Sequence, residues 1–235
     1  MIDTLVHVLL VLALPPLLPG VIARTKAAFA GRNGPPLLQG YFDLAKLLRK
    51  GSILPEGSGW VFLAGPVAGV AAPLFASLLL PFGGHSAPVS FAGDMILFAY
   101  LFALARFFTA AAALDTGSAF EGMGAAREVA FSCLAEPALF FGFVALARIS
   151  GSLSLSTMLG AGPGWVTAGA PLVLVAASWA VVLLAENCRI PFDDPNTHLE
   201  LTMIHEVMVL DHGGPAFGLV LYGASVKLFV LSALF

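Results

Sequence analysis

The sequence predicts an all-α, polytopic transmembrane helix bundle of about six membrane helices, with interfacial amphipathic helices in its cytoplasmic loops. Two observations carry this. Of 235 residues, 59% are apolar and 11% charged, whereas a soluble domain holds roughly 25% charged residues. A soluble globule still needs a wetted surface, so much of this surface faces lipid. Second, six stretches approach the roughly 20 apolar residues that cross the hydrocarbon core as a helix: 2–23, 60–81, 91–113, 129–149, 166–185 and 216–235.

The first stretch lacks the positive n-region of a secretory signal. Asp3 is its first charge, and Arg24 and Lys26 follow the apolar run rather than precede it. It is expected to stay as the first membrane helix. Pro15, Pro16 and Pro19, and then Gly65, Pro66, Gly69 and Pro73, fall inside the first two spans. Such residues are tolerated where neighbouring helices satisfy the freed backbone groups, which implies a packed bundle of irregular helices.

Basic residues orient the bundle. The first loop carries Arg24, Lys26, Arg32, Lys46, Arg49 and Lys50, the third Arg127 and the fifth Arg189. The even-numbered loops, 82–90 and 150–165, have no Lys or Arg. The odd loops are therefore expected in the cytoplasm and the N-terminus outside. Residues 1–235 form one membrane domain with cytoplasmic loops at about 24–59, 114–128 and 186–215. There is no internal repeat or low-complexity tract.

In the first of these loops, residues 37–50 set Leu37, Leu38, Phe42, Leu44, Leu47 and Leu48 against Asp43, Lys46, Arg49 and Lys50. That pattern predicts a short helix lying at the interface. Residues 115–128 are glycine-rich and charged, and read as an irregular loop. In the fifth loop, residues 197–210 look helical, with Asp194 or Asn196 as a cap and Gly213-Gly214 as a stop. Pro191 and Pro195 predict an extended backbone around Phe192, Asp193 and Asp194, with Arg189 able to neutralise one aspartate.

Several function classes lose support. A net charge of -3 without a basic tract argues against nucleic-acid binding. Cys133 and Cys188 form no CxxC pair, which argues against an iron–sulfur or zinc site in this chain. His198, His205 and His212 recur every seven residues, about 10 Å apart on a helix, too far for one ion with metal–nitrogen bonds of about 2 Å. Gly117, Gly122 and Gly124 make no phosphate loop, since no GK[ST] follows. No Ser–His–Asp arrangement is present, and no cofactor or catalytic centre is expected.

Ionisable groups in membrane spans are costly and each asks for a role. Arg106 lies in the third span, Glu136 in the fourth, Glu186 at the end of the fifth and Lys227 near the middle of the sixth. Each alone reads as a charge pair fixing helix register; together, beside a polar loop, they point to an ion pathway. Carboxylates in a half-dry loop and histidines can exchange protons near neutral pH, which brings in Asp193, Glu200, Glu206 and His205.

The segment Glu186-Asn187-Cys188-Arg189-Ile190-Pro191-Phe192-Asp193-Asp194-Pro195 resembles the ENxRxPFDxP-type signature of the respiratory complex I subunit 1 superfamily. Its continuation, residues 197–211, resembles the hydrogenase branch, the membrane subunit of group 4 [NiFe] hydrogenases that includes formate hydrogenlyase subunit 4. Residues 31–50 and 117–128 agree, so the resemblance covers nearly the whole chain.

The resemblance implies a non-catalytic membrane-arm subunit that docks a peripheral electron-transfer arm and couples it to proton or sodium movement. Glu136 matches a membrane-embedded family glutamate, Glu186 and Arg189 match the signature, Asp193 its PFD aspartate and Glu200 a later acid. The implied pathway runs from Asp193, Glu200 and Glu206 to Glu186, Glu136 and Lys227, with Arg127 and Arg189 tuning the acids. Asp43, Lys46, Glu121, Asp194 and His205 are expected to dock partners. Those partners are hydrogenase large and small subunits, a ferredoxin-like iron–sulfur subunit and antiporter-like membrane subunits. They, not this chain, would carry the [NiFe] centre and iron–sulfur clusters, in the inner membrane of a prokaryote.

Two departures stand out. Asn196 and His198 replace acids of the quinone-reducing branch, and six spans compare with about eight in family members. The alternatives are a quinone-binding subunit 1 of a complex I-like NADH dehydrogenase, a stand-alone ion transporter, for which a repeat would be expected, and a passive anchor.

Overall fold

The computed structural model describes residues 2–55, 57–160, 168–193 and 203–235, whose secondary structure is ten helices. The first expected span is two helices, α1 (Ile2–Ala13) and α2 (Leu17–Phe29), bent by 51° at the Pro15-Pro16 break. Pro16 has no N–H for the carbonyl of Leu12, and two successive rings crowd the turn before them. Tyr222 donates its hydroxyl to the Leu12 carbonyl at 2.9 Å, and Tyr41 donates to that of Ala13. The break is thus a satisfied one. α2 also runs past the expected boundary at 23, so Arg24 and Lys26 are helical.

The amphipathic segment forms α3 (Gln39–Leu48), which packs against α2 and the last helix. α4 (Trp60–Ser77) and α5 (Asp94–Asp115) run side by side, with the Asp115 carboxylate accepting the Gly59 and Phe62 amides at the start of α4. α6 (Ala119–Ser150) follows after only three residues, then α7 (Leu155–Met158), α8 (Gly169–Glu186), α9 (His205–Met208) and α10 (Gly214–Ser232). α4, α5, α6, α8 and α10 are each long and apolar enough to cross a membrane, and the bent α1–α2 pair makes a sixth.

Two expectations about the loops fail. The segment 114–128 is not an irregular loop, because 119–128 is the start of the 32-residue α6. At 1.5 Å per residue that helix is about 48 Å long, well beyond a hydrocarbon core of about 30 Å. Its glycines serve packing: a Cβ on Gly124 would lie 3.0 Å from the Ile204 carbonyl oxygen and from Met208, so α9 rests directly on α6. Second, Pro191 lies in a turn, with the Phe192 and Asp193 amides both returning to the Arg189 carbonyl. The expected helix at 197–210 is present as the four residues of α9, while 194–202, with Asp194, Asn196, His198 and Glu200, lie outside the described residues.

The core is layered. One cluster brings Phe98, Phe143, Trp179, Leu80, Leu155 and Val230 together, with Phe143 edge-on to both Phe98 and Trp179. A smaller one joins Ala113, Ala125, Ile204 and Met208. The outside is as apolar as the inside: Leu134 and Phe141 of α6 are 73% and 74% exposed, Val173 and Leu174 of α8 68% and 71%. Large apolar side chains so exposed on the spanning helices mark a surface that meets lipid or partners.

Candidate functional site

The charged residues of four spans meet in one place. Arg106 points inward from the middle of α5 and is 8% exposed. Its Nη1 donates to Glu186 Oε1, at the end of α8, and its Nη2 to Glu136 Oε1, in the middle of α6. The second oxygen of Glu186 faces Lys227 Nζ of α10 at 3.1 Å. Each oxygen of one carboxylate therefore meets its own cation. Glu186 is 6% exposed, and taking a carboxylate out of water costs several kcal/mol unless good geometry offsets it. The guanidinium fork can serve two carboxylates at once.

Arg106, Glu186 and Lys227 of this chain line a cavity of about 750 Å³, whose lining does not include Glu136. The α1–α2 break contributes Pro16, α2 contributes Pro19, and α4 contributes Gly65, Pro66, Gly69 and Pro73, which bring bare backbone to its wall. The segment after α8 closes another side. There the Cys188 thiol, at a left-handed φ of 46°, donates to Glu128 Oε2 of α6 at 3.4 Å. Burial, with Glu128 beside it, pushes that thiol well above its ordinary range. Asp193 is buried, and its Oδ2 accepts the His205 amide at 3.0 Å, so it starts α9 from across the loop.

His205 is half-buried, but its Nε2 is enclosed and without a hydrogen-bond partner among the described residues. Burial, reinforced by Lys227 and Arg189, pushes its imidazole down to about 4. His212 stacks on Phe62 at 4.0 Å and meets that residue's carbonyl, and burial also lowers its imidazole.

The expected site residues divide accordingly. Glu136, Glu186 and Lys227 converge, while Asp193, Glu206, Arg189, Asp43 and His205 line the same cavity, Glu206 and Arg189 from exposed positions. Glu200 and Asp194 lie outside the described residues. Arg127 donates to the Met203 carbonyl at 3.0 Å and so ties α6 to the segment entering α9. Lys46 is exposed on α3, and Asp43 is half-buried there, accepting from Gln39 at 2.8 Å.

Glu121 is the clear exception to the docking expectation. It is fully buried and accepts the Asp211 amide at 3.0 Å and the Thr116 hydroxyl, so it clamps α6 to the α9–α10 turn. Two residues gain a place that the sequence reading did not give them. Arg106 is the hub of the charge chain, although the sequence only marks it as an intramembrane base. Glu128 is buried in the cavity wall; its signal is the 7- and 8-residue spacing of Glu121, Glu128 and Glu136 along α6. Among the described residues, no group of three His, Cys, Asp or Glu side chains converges to hold a metal ion.

The NADH dehydrogenase family model matches residues 2–235. The chain is 36% identical to formate hydrogenlyase subunit 4 of Escherichia coli (strain K12), over 98% of this chain and 75% of that one. It is 33% identical to hydrogenase-4 component C of the same organism, over its whole length and 73% of the relative. Among solved structures, a chain of the membrane-bound sulfane sulfur reductase, an archaeal respiratory membrane complex, superposes with a TM-score of 0.83 at 23% identity, covering 99% of this chain and 76% of that one. That last likeness is one of fold.

Proposed function

Because the chain belongs to the NADH dehydrogenase family, we propose that it is a membrane-arm subunit of a respiratory complex of the membrane-bound [NiFe] hydrogenase kind. It would couple redox chemistry in its partner subunits to proton or sodium translocation. The relatives named for formate hydrogenlyase and hydrogenase-4 support the branch. The observation that carries the coupling is the Glu136–Arg106–Glu186–Lys227 chain, of which Arg106, Glu186 and Lys227 face the cavity.

In this reading Glu186 is held as a carboxylate by two cations. A movement of the 186–193 segment that draws Lys227 or Arg106 away leaves a buried charge uncompensated, and such a group is neutralised by taking up a proton. Return of the cation expels it. The 186–193 segment is tied to α9 through Asp193 and His205, so a partner docked on the cytoplasmic loops has a lever on Glu186. Lys46 and Asp43 of α3, with Glu206, offer charged docking contacts at the same end. Electrons stay in the hydrogenase large and small subunits and the ferredoxin-like subunit, where the [NiFe] centre and iron–sulfur clusters would lie. Antiporter-like subunits would extend the membrane arm, in a prokaryotic inner membrane with the N-terminus outside.

The test is the purified complex in vesicles carrying Glu186→Gln or Glu136→Gln. The expected result is normal subunit composition with ion movement per redox turnover reduced severalfold. Unchanged ion movement in both variants rejects the pathway. The cavity of about 750 Å³ favours a second reading, a quinone-binding subunit. A complex that reduces quinone and does not evolve hydrogen would select it.

A further inference from the structure

Resting on the pathway reading above, we infer that Glu128 is the group that carries the translocated proton between the cavity and Glu186, and that the Cys188 thiol is its positioning residue. Three acids of the site are already answered. Glu186 has Arg106 and Lys227, Glu136 has Arg106, and Asp193 has the His205 amide. Glu128 is 7% exposed and also lines the cavity, yet the hydrogen bond its side chain receives comes from a neutral thiol at 3.4 Å. Among the described residues no cation forms an ion pair with Glu128, whereas Glu136 and Glu186 share Arg106 and Lys227. Burying a carboxylate without a paired cation is costly, which makes this position the one suited to accept a proton.

The position suits the task. Glu128 stands eight residues before Glu136 on α6, about 12 Å nearer the cytoplasmic end. It lies within electrostatic reach of Lys227, as does Cys188. The other charged groups facing this part of the cavity are Arg189, Asp193, His205 and Glu206 from the loop and α9, and Lys26 and Asp43 from α2 and α3. A proton entering through the cavity binds a Glu128 carboxylate oxygen. When Lys227 leaves Glu186 for Glu128, the proton passes to Glu186 and the ammonium replaces it on Glu128, so the charge of the cluster does not change. Cys188 keeps its S–H throughout, only fixing the carboxylate.

Infrared difference spectra of the intact complex, oxidised against reduced, test this together with ion movement in vesicles. The expected result is a carboxylic-acid carbonyl band that disappears in Glu128→Gln and is shifted, with its S–H companion lost, in Cys188→Ala. Glu128→Gln should also lower ion movement per turnover severalfold. A band that survives Glu128→Gln overturns the inference. If that variant does not assemble, the Cys188→Ala spectrum decides alone, an unshifted band counting against it. Failure of the pathway reading looks different: ion movement is then indifferent to Glu136→Gln and Glu186→Gln, whatever the Glu128 band does.

Discussion

Lys227 Nζ lies 3.1 Å from Oε2 of Glu186 and so joins the middle of α10 to the end of α8. The contact spans the cavity wall and leaves Arg106 to serve the other oxygen of Glu186 as well as Glu136. Two cations and two carboxylates from four helices are thus one electrostatic unit, in which losing Arg106 strands Glu136 and losing Glu186 strands Lys227.

Replacing Arg106 is therefore expected to be the most damaging change in the cluster. Arg106→Met leaves Glu186 with one cation and Glu136 with none. The cost of a broken buried pair, about 3–5 kcal/mol, is an upper bound, because Glu186 keeps Lys227 and the Glu136 side chain is 42% exposed. Arg106→Lys is expected to recover only part of this, since a single ammonium cannot fork between two carboxylates. Thermal melting of the detergent-solubilised protein measures both. Equal melting of Arg106→Met and the parent would show that the pairs contribute nothing to the fold.

Gly223 sits where α10 crosses α4. A Cβ there would lie 2.5 Å from the Gly69 carbonyl oxygen and 2.9 Å from its carbon, and backbone cannot yield as a flexible side chain can. Gly223→Ala is expected to cost at least about 1–3 kcal/mol and to loosen α10, and Lys227 with it. A melting curve, and the rate of limited proteolysis of the 209–214 turn, report the change.

Glu121 holds α6 to the α9–α10 turn through the Asp211 amide. Glu121→Ala leaves that amide and the Thr116 hydroxyl without this acceptor, at a cost of about 1–3 kcal/mol. Partner binding should fall only to the extent that stability does. Loss of partner subunits from a variant with unchanged melting would return Glu121 to the docking surface.

Stability should depend on pH through His205. Burial lowers its imidazole from 6.5 to about 4, so the unfolded chain binds a proton in that interval that the folded chain does not. This contribution is fully present above pH 6.5 and is lost as pH falls toward 4. His205→Asn should flatten the slope of stability against pH in that window. An unaltered slope would mean that the ring titrates freely in the folded protein.

Much of the architecture is legible in the chain because the bilayer is a strict solvent. Six apolar stretches, sparse charge and the Lys/Arg-poor even loops follow from composition alone, and the structure carries five spans and a bent pair close to those positions. Boundaries failed where one residue type serves two purposes. Gly122 and Gly124 read as loop residues, but Gly124 thins α6 so that Ile204 can approach. The prolines of the first span read as tolerated within one helix; two in succession broke it.

The sequence by itself determined that this is a membrane bundle holding a few costly charges, since the price of placing Glu186 or Lys227 among apolar neighbours depends only on residue type and span. Which charges meet was decided by tertiary structure alone. Arg106 lies 30 residues from Glu136 and 80 from Glu186, and their contact depends on how α5, α6 and α8 are rotated and how deep each sits. Side-chain packing among Phe98, Phe143 and Trp179 sets those rotations, and no local pattern in the chain encodes them.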